Sequence, residues 1–364
     1  MILLGIVLLA IFLAIFIFIH SRPFGSPPAG PRLKTVQLSP HYLNGQFQNR
    51  TLTPSLTEGA SFFGVLGEFL FGKDKRNRPA APLPSCKTDL LHRDPQENFL
   101  VWFGHSSYFM QLDGKTFLVD PVFSGNASPL SFTTKSFAGT DIYSVTDLPP
   151  IDYLFITHDH WDHLDYPTLT GLRPKVNKTI TALGVWAHLE RWGFDPNTIQ
   201  EMDWNEPWIL EKGFEIYTVS ARHFSGRGLK RNGTLWNSFV LHTPHWKIFI
   251  GGDSGYDHHF KEAGEQFGPF DLVILEDGQY NKNWKYIHMT PEETVQAALD
   301  LRAKKLLPVH WAKFSLSLHA WDEPIIRIKK EAALKNMPLV HPLIGEKVLM
   351  DGDQVFKNWW EEIQ

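Results

Sequence analysis

Ile151-Asp152-Tyr153-Leu154-Phe155-Ile156-Thr157-His158-Asp159-His160-Trp161-Asp162-His163 is the stretch on which the reading of this 364-residue chain turns. Its first six residues are mostly β-branched, aromatic or aliphatic, the composition of a buried strand. Four potential ligands, His158, His160, Asp162 and His163, then fall within six residues. Imidazole nitrogen and carboxylate oxygen together suit zinc and related divalent ions. A strand-to-loop turn lets alternate residues converge on one point while their neighbours face away. A polar turn with surface histidines is the bland alternative, but chance gives three His and one Asp at such offsets only about a few times per thousand comparable chains.

Three further candidates sit in the same kind of place. His223 follows the apolar run from Tyr217 to Ala221, Asp253 follows Phe249 to Gly252, and His310 follows Leu306 to Val309. Singly, a histidine or aspartate at a strand end is more often structural. Together with the first cluster they make five His and two Asp, enough for two metal ions with one carboxylate bridging. The surrounding pattern is of short strands and helices. Phe99 to Phe103 and Ser107 to Leu112 read as strands, and Asp113-Gly114 as a hairpin turn before Lys115 to Val119. Further strands are expected at Phe214 to Val219, Phe239 to Leu241, Lys247 to Ile250 and Leu272 to Leu275. The clearest helix is Pro291 to Arg302, with Thr290 as its cap and Glu292 and Glu293 at its positive end. Such a mixture, with an early antiparallel run, predicts two sheets covered by helices. No short repeat is visible.

Composition narrows the classes. Hydrophobic residues make up 43% and charged residues 20%, a globular balance that argues against wholesale disorder. Thirty-five Lys and Arg against 39 Asp and Glu leave a net charge of -4, which gives no electrostatic case for nucleic acid. A single cysteine, Cys86, excludes an internal disulfide.

Ile2 to Ile19 is an unbroken apolar stretch, about 27 Å long as a helix and so able to cross a bilayer. No cation precedes it and no small-residue cleavage site follows, so residues 1–20 read as an uncleaved anchor rather than a secretory signal. Arg22, Arg32 and Lys34 lie after it, which would put the large C-terminal part on the cytoplasmic side. Residues 21–54 are rich in Pro, Gly and polar groups and read as a linker or loosely wrapped arm. Ser61 to Phe71 is an apolar helix trailed by Lys73, Lys75, Arg76 and Arg78, suited either to a membrane interface or to ordinary core packing. The expected organisation is an anchor at 1–20, a linker and interfacial arm at 21–87, and a catalytic domain at 88–364.

His158-x-His160-x-Asp162-His163 followed in order by His223, Asp253 and His310 resembles the metallo-β-lactamase superfamily. Within it, Trp102-Phe103-Gly104-His105-Ser106, Asp120-Pro121-Val122-Phe123, Leu148-Pro149-Pro150-Ile151-Asp152, Gly252-Asp253-Ser254-Gly255-Tyr256 and His310-Trp311 are similar to the N-acyl-phosphatidylethanolamine-hydrolysing phospholipase D family. The resemblance runs from about residue 88 to 345. It implies an α/β protein, a four-layer αββα sandwich, with two Zn2+ at one edge of the sheets. In that pattern His158, His160 and His223 hold one zinc, Asp162, His163 and His310 the other, and Asp253 bridges. It also implies an active-site role for His288, ahead of Pro291-Glu292-Glu293. Paired divalent ions bring the pKa of a shared water towards about 7, so a metal-bound hydroxide would attack phosphorus and expel the alkoxide opposite. Asp162 would orient that hydroxide, while His288 or His105 would donate to the phosphate or the leaving oxygen.

The reaction so implied is release of N-acylethanolamine and phosphatidic acid from a membrane phospholipid, with the bilayer as partner and a second copy of the chain left open. A lactonase or carboxylic-ester hydrolase is the alternative, since the same nucleophile attacks acyl carbon. A membrane-bound scaffold without turnover is the third reading, and the complete ligand set speaks against it. Asn49, Asn126, Asn177 and Asn232 head Asn-x-Ser/Thr sequons that matter only in a glycosylating compartment.

Overall fold

The computed structural model describes residues 2–363; Met1 and Gln364, the outer limits expected for the anchor and the catalytic domain, lie outside the described residues. Helix α1 (Ile2–Ile19) buries none of its residues against the rest of the chain. After it come α2 (Gly30–Leu38), a two-residue hairpin of β1 (Tyr42–Leu43) and β2 (Gln46–Phe47), and α3 (Phe62–Phe71). No periodicity in 21–54 signals α2, a short helix with Pro31 in its first turn. This segment is tied down: Val36 and Phe47 are buried, and Asn49 exchanges hydrogen bonds with the backbone of His223.

The first sheet is built from β3 (Phe99–Trp102), β4 (Tyr108–Leu112), β5 (Lys115–Val119), β6 (Ile151–Ile156), β7 (Val176–Ala182) and β8 (Ile199–Met202), with α4 (Tyr166–Leu172) and α5 (Trp186–Arg191) in the crossovers. The second contains β9 (Pro207–Glu211), β10 (Phe214–Ser220), β11 (Asn237–His242), β12 (Lys247–Ile250), β13 (Leu272–Glu276) and β14 (Leu306–Val309), with α6 (His259–Phe267), α7 (Pro291–Asp300) and α8 (Glu323–Lys335). A last strand, β15 (Lys347–Leu349), returns to pair with β3. Each sheet begins antiparallel and finishes parallel: β5 to β8 in the first, β12 to β14 in the second.

Alternation on β6 explains the layers. Tyr153 and Phe155 face the second sheet, where Phe155 meets Phe239 edge-on at 5.2 Å, while Leu154 and Ile156 join Leu169 and Leu172 of α4 on the outer side. Helices α6, α7 and α8 cover the second sheet with Phe260, Val295, Ala298 and Ile325. The result is the αββα sandwich expected. Thr290 caps α7 in a reciprocal box with Glu293, as its sequence predicts. Because β6, β12, β13 and β14 run parallel within their sheets, their C-terminal ends gather at one edge of the sandwich, which is where the ligand-bearing loops begin.

Candidate metal centre

All seven sequence-selected residues arrive at that edge. His158, His160, Asp162 and His163 leave β6; His223 follows β10, Asp253 follows β12 and His310 follows β14. Two groups form around Asp253. In the first, His160 Nδ1 is 2.9 Å from His158 Nε2 and 3.2 Å from His223 Nε2, while Asp253 Oδ2 stands 3.8 and 3.7 Å from the latter two nitrogens. In the second, Asp253 Oδ2 is 3.2 Å from His163 Nε2 and its Oδ1 is 3.2 Å from His310 Nδ1, with Asp162 Oδ2 3.5 Å from His163 Nε2. Asp253 thus faces both groups.

The opposite ring nitrogens are engaged so that lone pairs face inward. The His223 Nδ1–H donates to the Ile287 carbonyl at 2.8 Å. His163 Nδ1 meets Asp120 Oδ2 at 2.8 Å, and His158 Nδ1 meets Thr157 Oγ1, whose hydroxyl donates to the same Asp120 oxygen at 2.6 Å. One buried carboxylate therefore fixes the orientation of two imidazoles, the outer-layer arrangement typical of metal-ligating histidines. Burial pushes His158, His223 and His310 well below the usual imidazole range, so they stand neutral and ready to donate electron pairs. Burial opposes charge on Asp253 and Asp162, yet His163, itself raised well above the usual imidazole range against burial by Asp253, Asp162 and Asp120, holds both carboxyls well below their ordinary values. His163 Nε2 and Asp253 Oδ1 are buried without an aligned hydrogen-bond partner among the described residues. Three neutral imidazoles, two ionised carboxylates and inward-facing unpaired atoms are what divalent cations would satisfy.

Backbone strain concentrates here. His105, Asp120 and His310 have φ of 52°, 41° and 69°, and the backbones of His105 and His310 are tied by the His310 N–H donating to the His105 carbonyl. Gly252 has φ 61°, and a Cβ there would lie 2.9 Å from Thr157 Cβ; this close approach of β12 to β6 sets Asp253 among the histidines.

The two candidate catalytic histidines differ. His288 keeps partial exposure, with Nδ1 bonded to Glu276 and its ring 5.0 Å from His223. Burial pushes Glu276 up to about 7, and against the same burial Glu276 raises His288, so the pair shares a proton near neutrality. His105 is fully buried, its Nε2 2.8 Å from Asp162 Oδ2 and its ring against Phe314. That position braces Asp162 and gives no direct access to a ligand at the opening. Asp120 and Glu276 were the residues without an assigned role in the sequence; the signal available for Glu276 was the one used for Asp253, an acid ending an apolar strand.

The candidate ligand loop is also gripped from outside. Buried Arg227 donates to the carbonyls of Asp159 and Leu164 at 2.9 and 2.7 Å and to the Pro23 carbonyl at 2.9 Å, with its guanidinium 3.9 Å above Trp161. Phe24 packs edge-on against Trp161 at 5.0 Å, and Ser26 N–H donates to His188, which meets Asp159.

A family profile described as a Beta-lactamase superfamily domain matches residues 115–311. The chain is 34% identical over 268 residues to N-acyl-phosphatidylethanolamine-hydrolyzing phospholipase D 1 of Caenorhabditis elegans, covering 68% of this chain and 73% of the relative. The chain belongs to the metallo-β-lactamase superfamily and, within it, to that phospholipase D family. An uncharacterized protein of Mycobacterium tuberculosis is 36% identical over 348 residues, spanning 94% of this chain and 93% of its own. Among solved structures, the metallo hydrolase Igni18 of Ignicoccus hospitalis superposes with a TM-score of 0.53 at 20% identity, over 70% of this chain and 99% of its own, which supports the fold. The metallo-β-lactamase superfamily member described above is a metal-dependent hydrolase.

Proposed function

We propose that this protein is a membrane-anchored zinc phosphodiesterase that cleaves N-acyl-phosphatidylethanolamine to N-acylethanolamine and phosphatidic acid. The observation that carries the reading is the 34% identity to the nematode phospholipase D, in a chain whose seven candidate ligands converge. His158, His160 and His223 would hold one ion, Asp162, His163 and His310 the other, with Asp253 between them. Two zinc ions so held would supply Lewis acidity towards a phosphoryl oxygen and a nucleophilic hydroxide at neutral pH. The chain's own residues do the rest. Asp162, braced by His105, orients the nucleophile. His288, with Nδ1 held by Glu276, presents Nε2 at the opening, where it delivers a proton to the ethanolamine oxygen as its bond to phosphorus breaks. Helix α1 would tether the enzyme to the bilayer holding its substrate, with the basic residues after it favouring a cytoplasmic catalytic domain.

The test is mass-spectrometric product analysis after incubating the full-length protein with a total membrane lipid extract, beside an Asp162→Ala control. Loss of N-acylated phosphatidylethanolamine with matching N-acylethanolamine is the expected result. An unchanged lipid pool, together with turnover of a soluble lactone, would replace the reading with the lactonase alternative.

A further inference from the structure

The metal centre opens on the side of His160 and His288, both of which keep partial exposure. Phe224 borders this opening, its ring 4.4 Å from that of His160 and 4.7 Å from that of His223. Behind Phe224, α3 docks through Val65 and Phe69 on Trp284, Ile287 and Leu318, and its other face leaves Phe63 and Phe71 exposed, the last at 90%. After Phe224 runs Gly226-Arg227-Gly228-Leu229-Lys230-Arg231, a loop whose Leu229 is also 90% exposed. Residues Gly226 to Lys230 line one cavity together with Ile19, His20 and Phe24, where α1 ends. The exit of α1 and the Leu229 loop therefore share one cavity, and α3 packs beside the start of the same loop through Phe224, which borders the metal-centre opening.

A lone exposed leucine needs no explanation, but adjoining apolar groups at the mouth of a cleft mark an interaction surface. Helix α1 identifies the occupant. A helix that crosses a bilayer leaves it at the headgroup layer, so whatever adjoins its exit meets headgroups too. Lys230 and Arg231 beside Leu229, and Lys73 and Lys75 after α3, supply charge complementary to anionic lipid. We propose that the 226–231 loop and the outer face of α3 seat in the headgroup layer of the bilayer that α1 crosses, so that a lipid headgroup reaches His160 and His288 without leaving the membrane. This rests on the reading of α1 as an anchor.

The test uses the full chain carrying Cys86→Ser, with Leu229→Cys, Phe71→Cys or Val355→Cys labelled with an environment-sensitive nitrobenzoxadiazole probe. Val355 is the control: it is 93% exposed, and its neighbours Gln354 and Phe356 line a cavity with Leu272 and Lys305, at the opposite ends of the strands. In nanodiscs of phosphatidylcholine and phosphatidylglycerol, probes at 229 and 71 should shift to the blue and be quenched by nitroxide-bearing lipid, and the probe at 355 should not. A probe at 229 that emits as in water, or one that is shielded yet untouched by lipid quencher, overturns the proposal. Leu229→Asp should lower turnover of vesicle lipid several-fold and leave a short-chain soluble phosphodiester unaffected; equal loss on both counts against it. Because the fluorescence needs no turnover, a quenched loop on an enzyme inert towards phospholipid would withdraw the proposed substrate and leave the docking face standing.

Discussion

Asp253 stands between the two ligand groups, its Oδ2 3.7 Å from His223 Nε2 and 3.2 Å from His163 Nε2 and its Oδ1 3.2 Å from His310 Nδ1. Asp253→Asn keeps the volume and removes the charge, so elemental analysis should find less bound metal, and hydrolysis should fall by at least about 100-fold with the circular dichroism unchanged. Glu276 acts one layer out. Glu276→Gln should retain the metal and lower turnover by about 10- to 100-fold, because the partner of His288 Nδ1 loses its charge; full activity would remove Glu276 from the mechanism. A separate titration sits at His259, buried against Ser254, where burial pushes the imidazole down to about 3. The unfolded chain takes up this proton near pH 6.5, the folded one not until about pH 3, so between those values the unfolded state binds more protons. Stability present above pH 6.5 is thus lost as pH falls, by up to about 1.4 kcal/mol per pH unit. His259→Phe should flatten the acid side of a urea-unfolding pH profile; an unaltered slope would show that other groups set it. At this scale, His158, His160, Asp162 and His163 were legible because four ligands crowd one loop. Asp120 and Glu276 were not, since an isolated acid at a strand end reads equally as a turn.

Strands made of buried apolar residues announce themselves in sequence, and those carrying polar residues do not. Lys115–Val119 was readable from the Asp113-Gly114 turn before it, and Lys247–Ile250 and Leu306–Val309 as short apolar runs. By contrast β7 carries Asn177, Lys178 and Thr179, and β8 is Ile-Gln-Glu-Met at the edge of its sheet, so polar residues hide both strands. The segment after α1 held a comparable surprise. Arg191 donates to the carbonyls of His20 and Gly25, Trp192 to that of Arg22 and Arg227 to that of Pro23. A truncation should therefore be sensitive to its end point. Removing residues 2–20 should reduce activity on vesicles while sparing detergent-dispersed lipid. Removing 2–26 should also weaken metal retention against a chelator, because Phe24 and Ser26 buttress the ligand loop. Identical metal retention in the two truncations would deny the segment that supporting role.

The whole molecule places its chemistry where two half-parallel sheets end together, and packing between them keeps that edge in register. Phe155 fills this interface from the strand that feeds the ligand loop. Phe155→Ala should cost about 3–5 kcal/mol in denaturant unfolding, a loss felt by the fold as a whole. Chelation should lower the melting temperature and zinc should restore it, since ligand at about 100 times its dissociation constant adds about 2.7 kcal/mol. A melting temperature indifferent to chelator would mean that the seven side chains hold no ion. The pair of helix-covered sheets was readable from the alternation of runs; the closeness of the chain's start to the candidate ligand loop was not, because hydrogen bonds from Arg191, Trp192 and Arg227 to backbone carbonyls leave no trace in side-chain pattern. That closeness governs how such an enzyme would search. Fastened at His20, Arg22, Pro23 and Gly25, the body is mounted on its helix like a bracket rather than hung from a cord. It would sweep the plane with one fixed side down, and its rate would follow the mole fraction of substrate in that plane, indifferent to how much inert lipid suspension surrounds it.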